Sequence, residues 1–255
     1  MKKLMVVVVA AAAANAFAIQ GKVSTENGTT AGDIKWQPKA KQYVVSFKKG
    51  QTMVDKEFKL ADVTALDIPK PAAFDKAVSQ VEAGQGAAAV PALTKIVSDY
   101  RMLQWDKPAA RYLVLAHLAA GNAQKAYEAC QSVLLEDKAA AYRGELAAAY
   151  WQALLKLGKY EQLEGLLKKA SAAGDRQASA AALVMRGDII VSKASDNNEK
   201  LKDALRDGYL RVVLMYPDVE CRRERAEACT KAAGVFDKLG QSSRAEKLRA
   251  QAKQM

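Results

Sequence analysis

Histidine occurs once in this 255-residue chain, as His117, and cysteine three times. A lone histidine cannot complete a zinc site, and no cysteine or carboxylate cluster stands at metal-ligand spacing. Any Ser-His-Asp arrangement would have to use His117, and no G-x-S-x-G elbow supplies a nucleophile for it. His117 falls inside the apolar run Leu113–Leu118, where a packing role is expected. No G-x-x-x-x-G-K-S/T phosphate cradle is present. Gly84-Gln85-Gly86 lacks the third glycine of a dinucleotide fingerprint and follows a helical pattern instead of a strand. Glu161, Glu164, Asp203 and Asp207 sit three or four apart among lysines and read as solvated ion pairs, not as acid/base pairs. Three cysteines make no disulfide framework. Cys221 and Cys229 would stand about 12 Å apart along one helix, too far to bridge. With Cys130 they read as small buried hydrophobes. The expectation is a chain that is not an enzyme and holds no metal or cofactor.

Long apolar runs are missing too, except at the start. Lys2 and Lys3 precede the unbroken apolar run Leu4–Ala14, and Ala16-Phe17-Ala18 follows as an A-x-A site. This is the pattern of a secretory signal peptide over residues 1–18, with a mature start at Ile19. The run is too short to span a membrane stably. No cysteine follows the site, so no lipid anchor is read there. The expectation is an exported, periplasmic or envelope-associated chain in a bacterium, with no transmembrane span once mature.

Charge of one sign is in excess. The formal net charge is +11, or +9 without Lys2 and Lys3. Such a surface favours anionic partners: acidic protein faces, anionic lipid or anionic wall polymer. Nucleic acid fits the charge, but export argues against it. The basic residues are scattered over many helices without an arm or dense cluster, so a solvated surface explains most of them.

What the chain does have begins with short alternating runs. Ile34 and Trp36 alternate with Lys35 and Gln37; Tyr43, Val45 and Phe47 share a face. Phe58 and Leu60 follow, then Val63, Leu66 and Ile68. Asn27-Gly28, Pro38-Lys39 and Lys49-Gly50 punctuate the runs. This reads as a compact antiparallel sheet over residues 19–68. With four or five strands in about 50 residues it resembles a small SH3-like or Sm-like barrel. Pro69 and Pro71 then force an extended connector over 69–71.

From residue 72 to 255 the period changes to that of helices. Phe74, Ala77, Val78 and Val81 mark the first apolar face. Asp106 is expected as an N-cap, with Pro108 in the first turn behind it. A long helix is expected from about Lys138 to Leu157. Turn residues recur at Gly86 (or Gly84), Gly121, Gly158, Ala194 and Gly240, in steps of 35, 37, 36 and 46 residues. The long last step holds an insert at Ser195-Asp196-Asn197-Asn198. Self-similarity at this period marks a stacked helix-turn-helix array of about five hairpins.

The repeats resemble tetratricopeptide (TPR) repeats. The small position, turn and alanine of that family are matched by Val114, Gly121 and Ala126, and again by Ala233, Gly240 and Ala245. Another unit has Gly187, Ala194, Ala204 or Leu205, and a terminal Pro217. The unit turning at Gly158 and Tyr160 departs from the pattern with Trp151 at the small position and Leu163 at the alanine position. Gly187 also belongs to Arg186-Gly187-Asp188, an adhesion tripeptide by spelling, which mid-helix placement assigns to repeat packing. The resemblance implies an all-α superhelix whose concave face binds a peptide or protein segment, without catalysis. By family position Arg111, Leu115, Gln152, Lys156, Val184 and Asp188 would face that groove, with Arg111 and Lys156 as partners for a peptide carboxylate. The expected function is a non-catalytic exported scaffold or adaptor for another envelope protein. The alternative is a binding module for an anionic wall polymer or lipid headgroups.

Overall fold

A computed structural model describes residues 19–195 and 197–255, so the expected signal peptide lies outside the described residues. The chain divides into two units, one ending at Lys70 and one running from Pro71 to Met255.

The first unit is a five-stranded antiparallel sheet: β1 (Ile19–Thr25), β2 (Gly28–Gln37), β3 (Gln42–Lys49), β4 (Thr52–Lys59) and β5 (Val63–Asp67). The spatial order is β4-β3-β2-β1-β5. Alternation sets its buried face, since side chains at i and i+2 point the same way. Val23, Ile34, Tyr43, Val45 and Phe58 are buried. Register puts Ile34 opposite Val45, and Tyr43 between Trp36 and Phe58. The Trp36 and Tyr43 rings meet at 4.8 Å between centroids.

The expected closed barrel is not formed. β4 pairs only with β3 and β5 only with β1, so the sheet keeps two edges. A flat sheet of this order would hold its edge strands about 19 Å apart. The link from β4 to β5, the 3-10 turn Leu60–Asp62, reaches about 14 Å at most. The sheet must therefore coil toward closure, yet the first and last strands in spatial order share no ladder. Closure needs strand number, tilt and shear to agree, and a count of strands fixes only the first.

The second unit is a mainly helical, TPR-like array. Its helices are α1 (Phe74–Glu82), α2 (Gly86–Asp99), α3 (Asp106–Ala119), α4 (Ala123–Glu136), α5 (Glu145–Lys156), α6 (Tyr160–Ala172), α7 (Arg176–Ala194), α8 (Asn198–Ala204), α9 (Leu210–Met215), α10 (Arg222–Lys238) and α11 (Ser242–Lys253). A π-helical segment, Leu205–Tyr209, joins α8 to α9 in one rod. Counting that rod once gives ten helices in five hairpins. Each hairpin's second helix packs on the first helix of the next, and first helices touch in succession: α1 with α3, α3 with α5, α5 with α7, α7 with α10.

The recurring glycines end first helices. Gly121, Gly158 and Gly240 all have φ near +70°, and the amides around Gly121 return to Leu118 and His117 carbonyls. A residue with a Cβ resists that conformation. At the fourth turn Ser195 takes it instead, with φ +48°. The small positions pack as the repeat pattern requires: Val114, Ala126, Ala204, Ala233 and Ala245 are fully buried. All three cysteines are buried, with no disulfide among the described residues.

Two boundaries differ from the sequence expectation. No helix runs from Lys138; a 3-10 turn, Lys138–Ala141, is followed by Gly144 at φ +74° before α5 starts. Trp151 accounts for this offset, because its Nε1 donates to the Ala141 carbonyl at 2.8 Å and its ring is 1% exposed. A large side chain at the small position is thus seated beneath a displaced turn. Asp106 is likewise not the N-cap of α3 but its first residue. Its buried carboxylate accepts the Met102 amide at 2.9 Å, and burial holds its pKa above the usual range.

Closest approach occurs between α7 and the π segment. A Cβ on Gly208 would stand 2.6 Å from the Gly187 Cα, and one on Gly187 would stand 2.5 Å from the Tyr209 ring. The π turn presses the Gly208 backbone onto α7 and carries Tyr209 across Gly187. Gly208→Ala should therefore cost about 1–3 kcal/mol by overpacking, partly offset by a helix gain of roughly 0.5–1 kcal/mol. Gly234 in α10 has open space around its Cα, so Gly234→Ala should keep that gain. Urea denaturation of the two variants should give shifts of opposite sign.

Candidate functional site

Each first helix carries a stripe of residues at helical spacing, and burial differs along it from one repeat to the next. On α5 the stripe runs through Glu145, Ala148, Gln152 and Lys156; on α7 it runs through Gln177, Ala181, Val184 and Asp188, at helical spacings of three and four. Arg111 and Leu115 occupy one such stripe of α3, one turn apart. The six residues expected in the groove therefore lie on the first helices, but their environments differ. Arg111 is half-buried, with its guanidinium 4.8 Å from the centre of the Tyr112 ring. Leu115 packs against the main core. Gln152 is half-buried and Lys156 exposed. Val184 is 3% exposed and belongs to the core around α7, α8 and α10, so it offers no free face.

Asp188 is committed within the protein. The Tyr209 hydroxyl donates to one carboxylate oxygen at 2.7 Å and the Lys231 ammonium to the other at 2.5 Å. Lys231 also pairs with Glu227 at 2.8 Å. Burial pushes the Asp188 carboxyl up, against the pull of Lys231 and Tyr209. Burial and the Asp188 charge also push the Tyr209 hydroxyl above its usual range. The network ties α7 to the π segment and α10, and so fixes the spacing of two first helices. Arg186-Gly187-Asp188 lies within α7, with Gly187 buried in the helix contact, Asp188 in this network and Arg186 exposed.

A cavity of about 150 Å³ opens where α5, α7 and α10 begin. Tyr142, Trp151, Glu145, Asp175, Glu224 and Glu227 contribute to its walls, and Ala147, Ala148, Ala178 and Ala181 pave it. None of the six expected groove residues lines it. Asp175 caps α7 by accepting the Ala178 amide at 3.0 Å. Glu145 and Glu224 sit in the first turns of α5 and α10. Glu224 is 7% exposed; Gln177 Nε2 donates to its Oε1 at 3.2 Å, while its Oε2 is buried without a hydrogen-bond partner. The sequence signal for this cluster was present as acids near the starts of three first helices. It was indistinguishable there from ordinary complementing of helix dipoles.

On another face, α6 and α7 flank an open groove of about 700 Å³. Leu167, Leu183 and Ile190 form its apolar part, with Lys168, Arg186 and Lys193 among its charged residues. No group of three or more His, Cys, Asp or Glu residues capable of holding a metal occurs among the described residues. No described helix is long and apolar enough to cross a membrane. His117 is half-buried, and burial lowers its pKa.

No protein-family model matches the chain, and no curated protein matches it. Solved structures do resemble it in fold. Two crystal structures of nearly identical TPR-like repeats ascribed to a Podosopora anserina kinesin light chain match 71% of this chain and 91% of theirs. Their identity is 18%, with TM-scores of 0.45 and 0.44. MamA from AMB-1 matches 72% of this chain and 96% of its own, at 19% identity and a TM-score of 0.39. Each is a likeness of fold alone.

Removing Lys231 should expose the cost of the Asp188 carboxylate. Lys231→Met leaves a mostly buried charge with one neutral donor, and should lose about 2–4 kcal/mol at pH 7. Adding Asp188→Asn should recover much of it. Because burial already raises the Asp188 pKa, protonation favours the folded variant. The deficit of Lys231→Met against wild type should therefore shrink as pH falls from 7 toward 4. Chemical denaturation at several pH values checks both.

Proposed function

We propose that this chain is a non-catalytic scaffold or adaptor that binds a segment of another protein along the stripe of its first helices. The observation that carries this reading is the array itself. Five hairpins align first helices side by side, and that shared face holds a lined cavity. Repeat arrays of this kind serve as extended binding surfaces because each unit adds side chains to one face. A lone half-buried histidine and buried thiols, with Cys130 pushed up to about 12 by burial, suit packing better than chemistry.

Residues 1–18 support the proposal that the partner resides in a cell envelope. Their basic start, apolar run and A-x-A site are those of a cleaved export signal. The mature chain would keep its +9 charge among other exported proteins.

The groove between α6 and α7 supports a second reading, a binding module for an anionic wall polymer or lipid headgroup. Its Lys168, Arg186 and Lys193 stand beside apolar side chains. Such a contact would weaken steeply with salt, since the Debye length shrinks to about 8 Å at physiological ionic strength and 3 Å at 1 M.

Crosslinking in living cells with a C-terminally tagged full-length chain, followed by affinity purification and mass spectrometry, tests the adaptor reading. Wild type would be run beside Ala178→Trp, which fills the cavity, and the Arg111→Glu, Lys156→Glu double variant. A defined protein recovered with wild type and lost from at least one variant is expected, on a chain that begins at Ile19. Equal recovery with all three would remove the partner from this face. Recovery of no protein would turn the reading to the anionic ligand.

A further inference from the structure

We propose that the cavity at the starts of α5, α7 and α10 is a recognition notch for a cationic side chain, arginine or lysine, on the bound protein segment. This deepens the adaptor reading and rests on it for the identity of the ligand as a polypeptide.

Glu224 carries the argument. A buried polar group without a partner is costly, and a buried carboxylate more so than a neutral group. Its Oε1 is satisfied by Gln177, but its Oε2 has no donor in the protein. Glu224 lines a cavity large enough for one planar or tetrahedral cationic head, or about five waters at roughly 30 Å³ each. The remaining walls select between these. Alanine methyl groups at positions 147, 148, 178 and 181 suit the alkyl stem that arginine and lysine carry behind the charge. Tyr142 adds an aromatic wall of the kind that attracts cations.

Charge points the same way. Glu145, Asp175, Glu224 and Glu227 line the notch against one base, Arg223. Three helix starts add about +0.5 each. The sum stays negative, at roughly −1.5, inside a protein whose overall charge is positive. Lys231 pairs with Glu227 as well as with Asp188 and offsets part of this charge, but even with Lys231 counted in full the sum stays negative, at roughly −0.5. A peptide carboxylate, the ligand expected from Arg111 and Lys156, would be repelled here.

The test uses the mature chain and two-dimensional NMR titration with acetyl-arginine-amide, acetyl-lysine-amide and the neutral isostere acetyl-citrulline-amide. Saturable shifts are expected for the cations in amides of residues 142–148, 175–181 and 223–227, with citrulline at least about tenfold weaker. Glu224→Gln should weaken cation binding at least about tenfold while melting no lower than wild type, because it discharges a buried group. Equal shifts from citrulline, shifts elsewhere only, or unchanged binding by Glu224→Gln would overturn the notch. A Glu224→Gln melting temperature several degrees lower would reassign Glu224 to structural support and also overturn it. The cell crosslinking separates the two proposals. A partner kept by Glu224→Gln but lost by Ala178→Trp would sink the notch and leave the adaptor. Cation binding with no protein partner in cells would sink the adaptor and leave the notch.

Discussion

Close backbone approach between helices is the constraint on which this array depends. Where α7 meets the π segment, Gly187 and Gly208 leave no room for a methyl group on either side. Gly86 meets Ala116 in the same manner at the start of the unit. Interiors are packed densely enough that such contacts permit one arrangement and forbid its neighbours. Small residues at repeat spacing therefore do more than allow helices to stack. They fix which faces of the first helices remain outside the core.

A polar network then holds the fixed face in register. Tyr209 crosses Gly187 because Gly208 sits against α7, and its hydroxyl reaches Asp188. Lys231 reaches the same carboxylate from α10. Steric fit and charge pairing act here on the same three elements. That matters for the notch, whose walls belong to α7, α10 and the start of α5. A carboxylate can stay buried at Glu224 with only one oxygen satisfied if neighbouring packing holds the helices against its cost. Stability held elsewhere and withheld at one site is the ordinary signature of a binding surface.

Much of this was legible in the residues, and the losses have physical causes. The turn glycines and small positions were readable because each answers to local geometry: a left-handed φ at Gly121, or full burial of a small side chain at Ala126. The alternation in β2 and β3 was readable for the same reason. Closure of the sheet was not, since edge pairing depends on shear that no single strand encodes. The Lys138 start failed because alanine propensity was overruled by Trp151, which needs the Ala141 carbonyl. The six residues expected to face a groove do lie on first helices, but Val184 is in the core, Asp188 is held by Tyr209 and Lys231, and none of the six lines the cavity. Arg111 and Lys156 suggested a groove for anions; burial of Glu224, with Glu145 and Asp175 beside it, arises from segments far apart in sequence and becomes visible only when three helices converge.

Hydrogen exchange of the mature chain, alone and with its captured partner, tests the central claim that the first-helix face is the interface. The amides of the first turns of α5, α7 and α10 have no intrahelical acceptors, so they report coverage sensitively. Slowed exchange in 142–152, 176–188 and 222–231, with α6 and α8–α9 unchanged, is the result this account predicts. Protection confined to α6 and α8–α9, or to the sheet of residues 19–67, would contradict it.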